Sequence, residues 1–199
     1  DRMLAVDENG EVVDGDKIIA ICASYMKEEG KLKKDTAVVT VMTNMGFNKY
    51  CDQAGINYVS TKVGDRYVLE NMLQNGYSIG GEQSGHVIFL DYATTGDGQL
   101  TALQVLRIMK KTGKKLSELA SCMKVYPQTM INVRVSKMGK ARFADDEEVA
   151  NAIAQAEKQL GDTGRVLVRV SGTEPLVRVM LEGENKKQIE TLAKEIAEV

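Results

Sequence analysis

One histidine, two prolines, three cysteines and no basic block in 199 residues narrow the chemistry before any motif is considered. Cys22, Cys51 and Cys122 are odd in number and widely separated. That argues against a disulfide framework or a zinc ligand set and predicts buried, reduced thiols in a cytoplasmic protein. Lys and Arg total 26 against 28 Asp and Glu, a formal net charge of −2, so sequence-independent nucleic-acid binding is not expected. The stretch Arg134, Lys137, Lys140, Arg142 has no aromatic stacking platform beside it, which counts against an RNA-binding role. No run approaches the ~18 apolar residues of a membrane helix, and no charged-then-apolar leader opens the chain, so no membrane partner is expected.

What is present reads as an α/β chain. Met3 to Val6 and Glu11 to Val13 suit a hairpin around Asp7-Glu8-Asn9-Gly10. A helix follows Asp14 to Asp16 and stops at Gly30. Ala37 to Thr43 is a β-branched run suited to a buried strand, Phe47 to Ala54 a helix, Ile56 to Ser60 a strand, and Asp65 to Leu73 a helix closing at Gly76. This alternation predicts a mixed, largely parallel α/β domain over residues 1–124, with ligands held in loops at the carboxyl ends of its strands. Leu100, Leu103, Leu106 and Met109 are expected to share one face of the next helix. Residues 125–199 predict a smaller α+β domain of β-α-β-β-α order with its helices on one sheet face.

Two polar stretches stand out. In Arg169-Val170-Ser171-Gly172-Thr173-Glu174-Pro175-Leu176-Val177-Arg178, alternating valines put Arg169 and Arg178 on the faces away from the core, flanking a tight loop. Two guanidiniums, the Ser171 and Thr173 hydroxyls, and amides beside Gly172 can cradle a phosphate. A plain turn with two surface arginines fits the same residues. The second stretch is Gly80-Gly81-Glu82-Gln83-Ser84-Gly85-His86. Its glycines are expected to turn the backbone sharply, leaving Glu82, Gln83, Ser84 and His86 pointing into one small volume. A carboxylate and a hydroxyl there suit sugar hydroxyls, and a glycine-rich surface turn is the plainer alternative. His86 carries the one side chain type that titrates near neutrality, which makes it a candidate proton carrier or a simple contact.

Together these stretches resemble the motifs of the α-D-phosphohexomutases, which move a phosphoryl group between two oxygens of a hexose. Arg169 to Arg178 resembles the family's phosphate loop, Gly81 to His86 its sugar loop G-E-x-S-G-H, and Asp1-Arg2 the tail of its metal loop D-G-D-A-D-R. Gln83, Gly64-Asp65-Arg66-Tyr67-Val68 and Thr95-Gly96-Asp97-Gly98 resemble the branch that interconverts glucosamine 6-phosphate and glucosamine 1-phosphate. The phosphomannomutase and phosphoglucomutase branch more often has methionine at the Gln83 position. The resemblance implies the third and fourth of four domains, cut before the first two aspartates of the metal loop. It implies Glu82 and Ser84 on the sugar and Arg169, Ser171, Gly172, Thr173 and Arg178 on the phosphate. His86 and Arg2 would be catalytic and Asp1 a ligand of a partial Mg2+ site. A sugar bisphosphate would be intermediate and activator, and the missing N-terminal domains of the same enzyme the main partner, with a homodimer possible in the parent. No T/S-A-S-H-N-type serine motif occurs, so the chain alone is expected to be inactive. A glucose- or mannose-specific relative and a non-catalytic phosphosugar-binding module stay open.

Overall fold

The computed structural model describes residues 1–172 and 174–199, and the side chains of all of these except Lys137 and Ala144. The chain divides into two units, Asp1–Val125 and Tyr126–Val199.

In the first unit a short antiparallel hairpin, β1 (Ala5–Val6) and β2 (Val12–Val13), turns on Asp7. Its Oδ1 accepts from the amides of Asn9 at 2.8 Å and Glu11 at 3.0 Å, as an Asx turn does. Then come α1 (Gly15–Glu28), β3 (Thr36–Thr40), α2 (Met45–Ala54), β4 (Asn57–Thr61), α3 (Asp65–Asn75), β5 (Ile79–Gly81), β6 (Val87–Phe89), α4 (Gly98–Thr112) and α5 (Leu116–Ala120). The sheet order is β4-β3-β5-β6, with β3 parallel to β4 and β5, and β6 antiparallel to β5. Period-two alternation in β3 explains the layering. Ala37 and Val39 join the larger core with α1, while Val38 meets Val68 and Met72 of α3 on the opposite face.

Side-chain caps set the helix starts: Asp14 accepts from Lys17 N, Asn44 from Gly46 N, and Asp97 from Gln99 and Leu100 N. The strand expected over Ala37 to Thr43 ends at Thr40. There the Thr43 amide turns back to the Thr40 carbonyl and Asn44 begins α2. On α4 the expected leucine face is not the buried one. Thr101, Val105 and Ile108 are buried, whereas Leu103 and Leu106 are 64% and 58% exposed. A strict three-residue step lags one helical turn by about 60°, so those leucines wind around the helix, while i, i+4, i+7 spacing holds one side.

The second unit contains β7 (Gln128–Arg134), α6 (Lys137–Arg142), α7 (Glu147–Leu160), β8 (Gly164–Val170), β9 (Leu176–Gly183) and α8 (Lys186–Glu198). Its antiparallel sheet has the order β7-β9-β8. Ala156 and Leu160 of α7, and Ile189, Leu192, Ala193 and Ile196 of α8, pack on Val166, Val168, Val179 and Leu181. Both long helices therefore lie on one sheet face, which leaves the alternate residues, Arg169 and Arg178 included, on the other. The short helix α6 goes beyond the expected order. Ser136 caps it by accepting from the Gly139 amide at 3.0 Å. No helix among the described residues is long and apolar enough to cross a membrane.

Candidate functional site

Residues 82–86 close the β5–β6 hairpin at the carboxyl end of β5, as parallel-sheet topology leads one to expect. The Glu82 amide donates to the His86 carbonyl at 3.0 Å, and the Gly85 amide to the Glu82 carbonyl at 3.0 Å. Gly85 has φ +90°, which favours glycine, and its carbonyl accepts from the Met3 amide at 3.0 Å. That bond ties the segment bearing Asp1 and Arg2 to the loop. On the other side the Gly15 amide donates to the Gln83 carbonyl at 3.0 Å. A Cβ on Gly15 would stand 2.1 Å from the Glu82 carbonyl oxygen, so the start of α1 is pressed against the loop backbone.

The side chains diverge more than expected. Glu82 Oε1 accepts from the Gly64 amide at 3.1 Å, and Gln83 Nε2 donates to Asp14 Oδ2 at 3.3 Å, while Ser84 is exposed. His86 is 5% exposed, its Nε2 lying 3.7 Å from Asp65 Oδ2 and 4.0 Å from Asp1 Oδ2. Its Nδ1 has no hydrogen-bond partner among the described residues. Gln83 thus leaves the expected cluster, and Asp65, at the first position of α3, joins His86. Gly80 and Gly81 do not turn the chain. They lie buried in β5, where a Cβ would come within 2.7 Å of Met72 Sδ at Gly80 and 2.4 Å of the His86 carbonyl at Gly81. Glycine serves close packing there and a turn only at Gly85. Arg2 and Asp1 line an open groove of about 640 Å³ with residues 95–99. Arg66, from the Gly64 to Val68 pattern, donates to Glu70 Oε1 at 2.7 Å, one helical turn on.

In the second unit, register sets Arg169 directly opposite Arg178 on neighbouring strands. Burial first, and the like charge of Arg178 second, push the Arg169 guanidinium below the usual arginine range. Arg178 Nη2 donates to Glu174 Oε2 at 2.7 Å, while its buried Nε has no partner among the described residues. The loop is braced by its own backbone. The Ser171 amide donates to the Leu176 carbonyl at 2.8 Å, and the Leu176 amide to the Glu174 carbonyl at 2.9 Å. The Glu174 amide donates to Ser171 Oγ at 3.2 Å. Three amides are thereby used internally, which narrows the expected run of free amides. Gly172 is exposed with open space around it, and Thr173 lies outside the described residues. Two opposed cations, one with a donor edge only half taken up, can hold a compact dianion.

Two family models match the chain. Residues 14–126 match the phosphoglucomutase/phosphomannomutase alpha/beta/alpha domain III, and residues 130–199 the C-terminal domain of the same family. The chain belongs to the phosphoglucomutase/phosphomannomutase family. Among curated relatives of this family, phosphoglucosamine mutase of Caldanaerobacter subterraneus subsp. tengcongensis is 57% identical over 199 residues, all of this chain and 44% of the relative. That of Ligilactobacillus salivarius is 55% identical over the same span. The chain thus covers less than half the length of the curated relatives it matches. The fold matches Aspergillus fumigatus N-acetylphosphoglucosamine mutase with a TM-score of 0.81 at 20% identity, over 98% of this chain and 45% of that one. The same fungal enzyme in complex with GlcNAc-6P and magnesium matches with a TM-score of 0.79.

Magnesium does not fit the family residues present in this chain. The ion takes near-octahedral oxygen coordination, yet no group of three or more His, Cys, Asp or Glu side chains among the described residues is arranged to hold a metal ion. Asp1 offers one carboxylate, with its side chain 68% exposed. Two features escaped the sequence reading. Asp65 was visible only as part of a branch pattern, and Gly15 had no local signal, because the contact that demands glycine comes from a loop more than sixty residues away.

Proposed function

We propose that this chain holds the substrate for a phosphosugar mutase that interconverts glucosamine 6-phosphate and glucosamine 1-phosphate. The observation that carries the reading is the opposed pair Arg169 and Arg178, with one guanidinium edge of Arg178 only half taken up, by Glu174. Arg169, Ser171, Gly172, Thr173 and Arg178 clamp the phosphate that is not reacting. Ser171 Oγ accepts from the Glu174 amide, which leaves its proton for the ligand. A fixed remote phosphate sets where the reacting oxygen sits, so the clamp contributes by positioning. Glu82 and Ser84 hold sugar hydroxyls: Oε1 of Glu82 is taken by the Gly64 amide, which leaves Oε2 to accept from the sugar. His86, flanked by Asp65 and Asp1, carries a proton to or from a sugar oxygen, with Arg2 beside the groove.

The choice of the amino sugar is supported by relatives named phosphoglucosamine mutase, which match all 199 residues at 57% and 55% identity. The phosphoserine that would donate to the sugar, and the bisphosphate intermediate that would follow, need domains outside this chain. The chain alone therefore binds phosphosugar without converting it, in the cytoplasm that its reduced thiols suit. The test is a titration with glucosamine 6-phosphate, beside a conversion assay. Losing a charged hydrogen-bonding partner costs ~1.5–3 kcal/mol, so Arg169→Ala and Arg178→Ala should each weaken binding roughly ten- to hundredfold. Unchanged affinity in both variants would sink the clamp, and turnover by the chain alone would sink the need for further domains.

A further inference from the structure

The cradle contains one group of the wrong sign. Glu174 sits inside the loop, and its Oε2 accepts from Arg178 Nη2 at 2.7 Å. Nη2 and Nε share one edge of the guanidinium, the edge that receives two phosphate oxygens side by side. Glu174 fills only half of it, since Nε is buried and unpartnered among the described residues. The Glu174 side chain is 53% exposed, and its backbone is held independently. Its amide donates to Ser171 Oγ at 3.2 Å, and its carbonyl accepts from the Leu176 amide at 2.9 Å and Lys140 Nζ at 3.2 Å. The carboxylate can therefore swing away without unravelling the loop.

We propose that Glu174 is an internal counter-ion of the phosphate cradle, which an incoming phosphate displaces from Arg178 and which screens out weaker anions. This rests on the phosphate-clamp reading above. While the cradle is empty, the carboxylate offsets part of the repulsion between Arg169 and Arg178. A phosphate dianion can take Nη2 and Nε together and still face Arg169, so it gains more than the single contact it breaks. A monovalent carboxylate such as acetate brings no charge that Glu174 lacks and has little to gain.

The experiment titrates the 199-residue chain with inorganic phosphate and separately with acetate, following the Gly172 amide signal. Wild type, Glu174→Gln, Glu174→Ala and Arg178→Ala are compared, with thermal melts to confirm that each is folded. Exposed ion pairs are weak, so removing the competitor should tighten phosphate binding by roughly two- to fivefold in both Glu174 variants. Acetate should bind measurably only in those variants. If neither variant binds phosphate more tightly while Arg178→Ala loses binding, Glu174 only shapes the loop; this proposal then falls and the clamp stands. If Arg178→Ala binds as wild type does, or no form gives a saturable response, the clamp itself fails and the counter-ion role with it.

Discussion

Arg107 in the first unit and Arg169 in the second put the same charge to opposite uses. Arg107 Nη2 donates to both oxygens of Glu29, at 2.7 and 2.8 Å, and that hydrogen bonding holds its guanidinium above the ordinary arginine value. Arg169 is pushed below that value, by burial and then by Arg178. One charge is completed by the chain itself and stabilises the fold. The other is left partly desolvated next to a like charge, an arrangement that an anion from outside improves. The loops differ in the same sense. The 82–86 loop is shaped by backbone pressed against glycine, so its geometry is fixed by packing. In the 171–175 loop Gly172, Glu174 and Pro175 are exposed while Ser171 is buried, and its character comes from charge.

The largest expected effect breaks the packed loop. A Cβ at Gly15 would meet the Glu82 carbonyl oxygen at 2.1 Å and the Gly85 nitrogen at 2.8 Å, both backbone atoms that have nowhere to go. Gly15→Ala should therefore cost about 3 kcal/mol, the upper end of overpacking, in denaturant unfolding. Wild-type stability in that variant would mean that the loop yields, and the contrast between a rigid and an adaptable loop would collapse. The smallest effect sharpens the contrast between the arginines. Hydrogen bonds from Lys31 and then Arg107 bring the Glu29 carboxyl from 4.5 down to about 2. A carboxyl lowered in the folded state stabilises above its unfolded value, and that contribution is lost as pH falls from about 4.5 toward about 2. Glu29→Gln should flatten the acid limb of the melting temperature in that window and leave the neutral-to-alkaline profile parallel to wild type. An unchanged acid limb would show that the Arg107 pair contributes nothing.

The second unit was the more legible in sequence. Valines at period two around Ser171 to Pro175 gave both the hairpin and the placement of the arginines, because strand alternation is local and the register follows from one short loop. The register pairs Val166 with Leu181 and Val168 with Val179, as that pattern requires. The first unit hid more, because its site depends on contacts between distant segments. Nothing near Gly80 and Gly81 distinguishes a turn from a strand squeezed by Met72 and Val38. Nothing near Gln83 says that Asp14 will claim it. Leucines at 103 and 106 extended the expected face of α4 onto its exposed side, whereas Thr101, tied by its hydroxyl to the Asp97 carbonyl at 2.7 Å, turns inward.

Under the proposed function residues 82–86 take the sugar and residues 171–175 the phosphate of a phosphosugar. The most direct measurement follows backbone amide shifts of the chain during titration with glucosamine 6-phosphate. The account predicts saturable shifts at Gly172 and also at Glu82 to Ser84, larger than those produced by glucose 6-phosphate at the sugar loop. Inorganic phosphate should move Gly172 and leave residues 82–84 in place. Millimolar amino-sugar phosphate that moves neither loop would contradict the account.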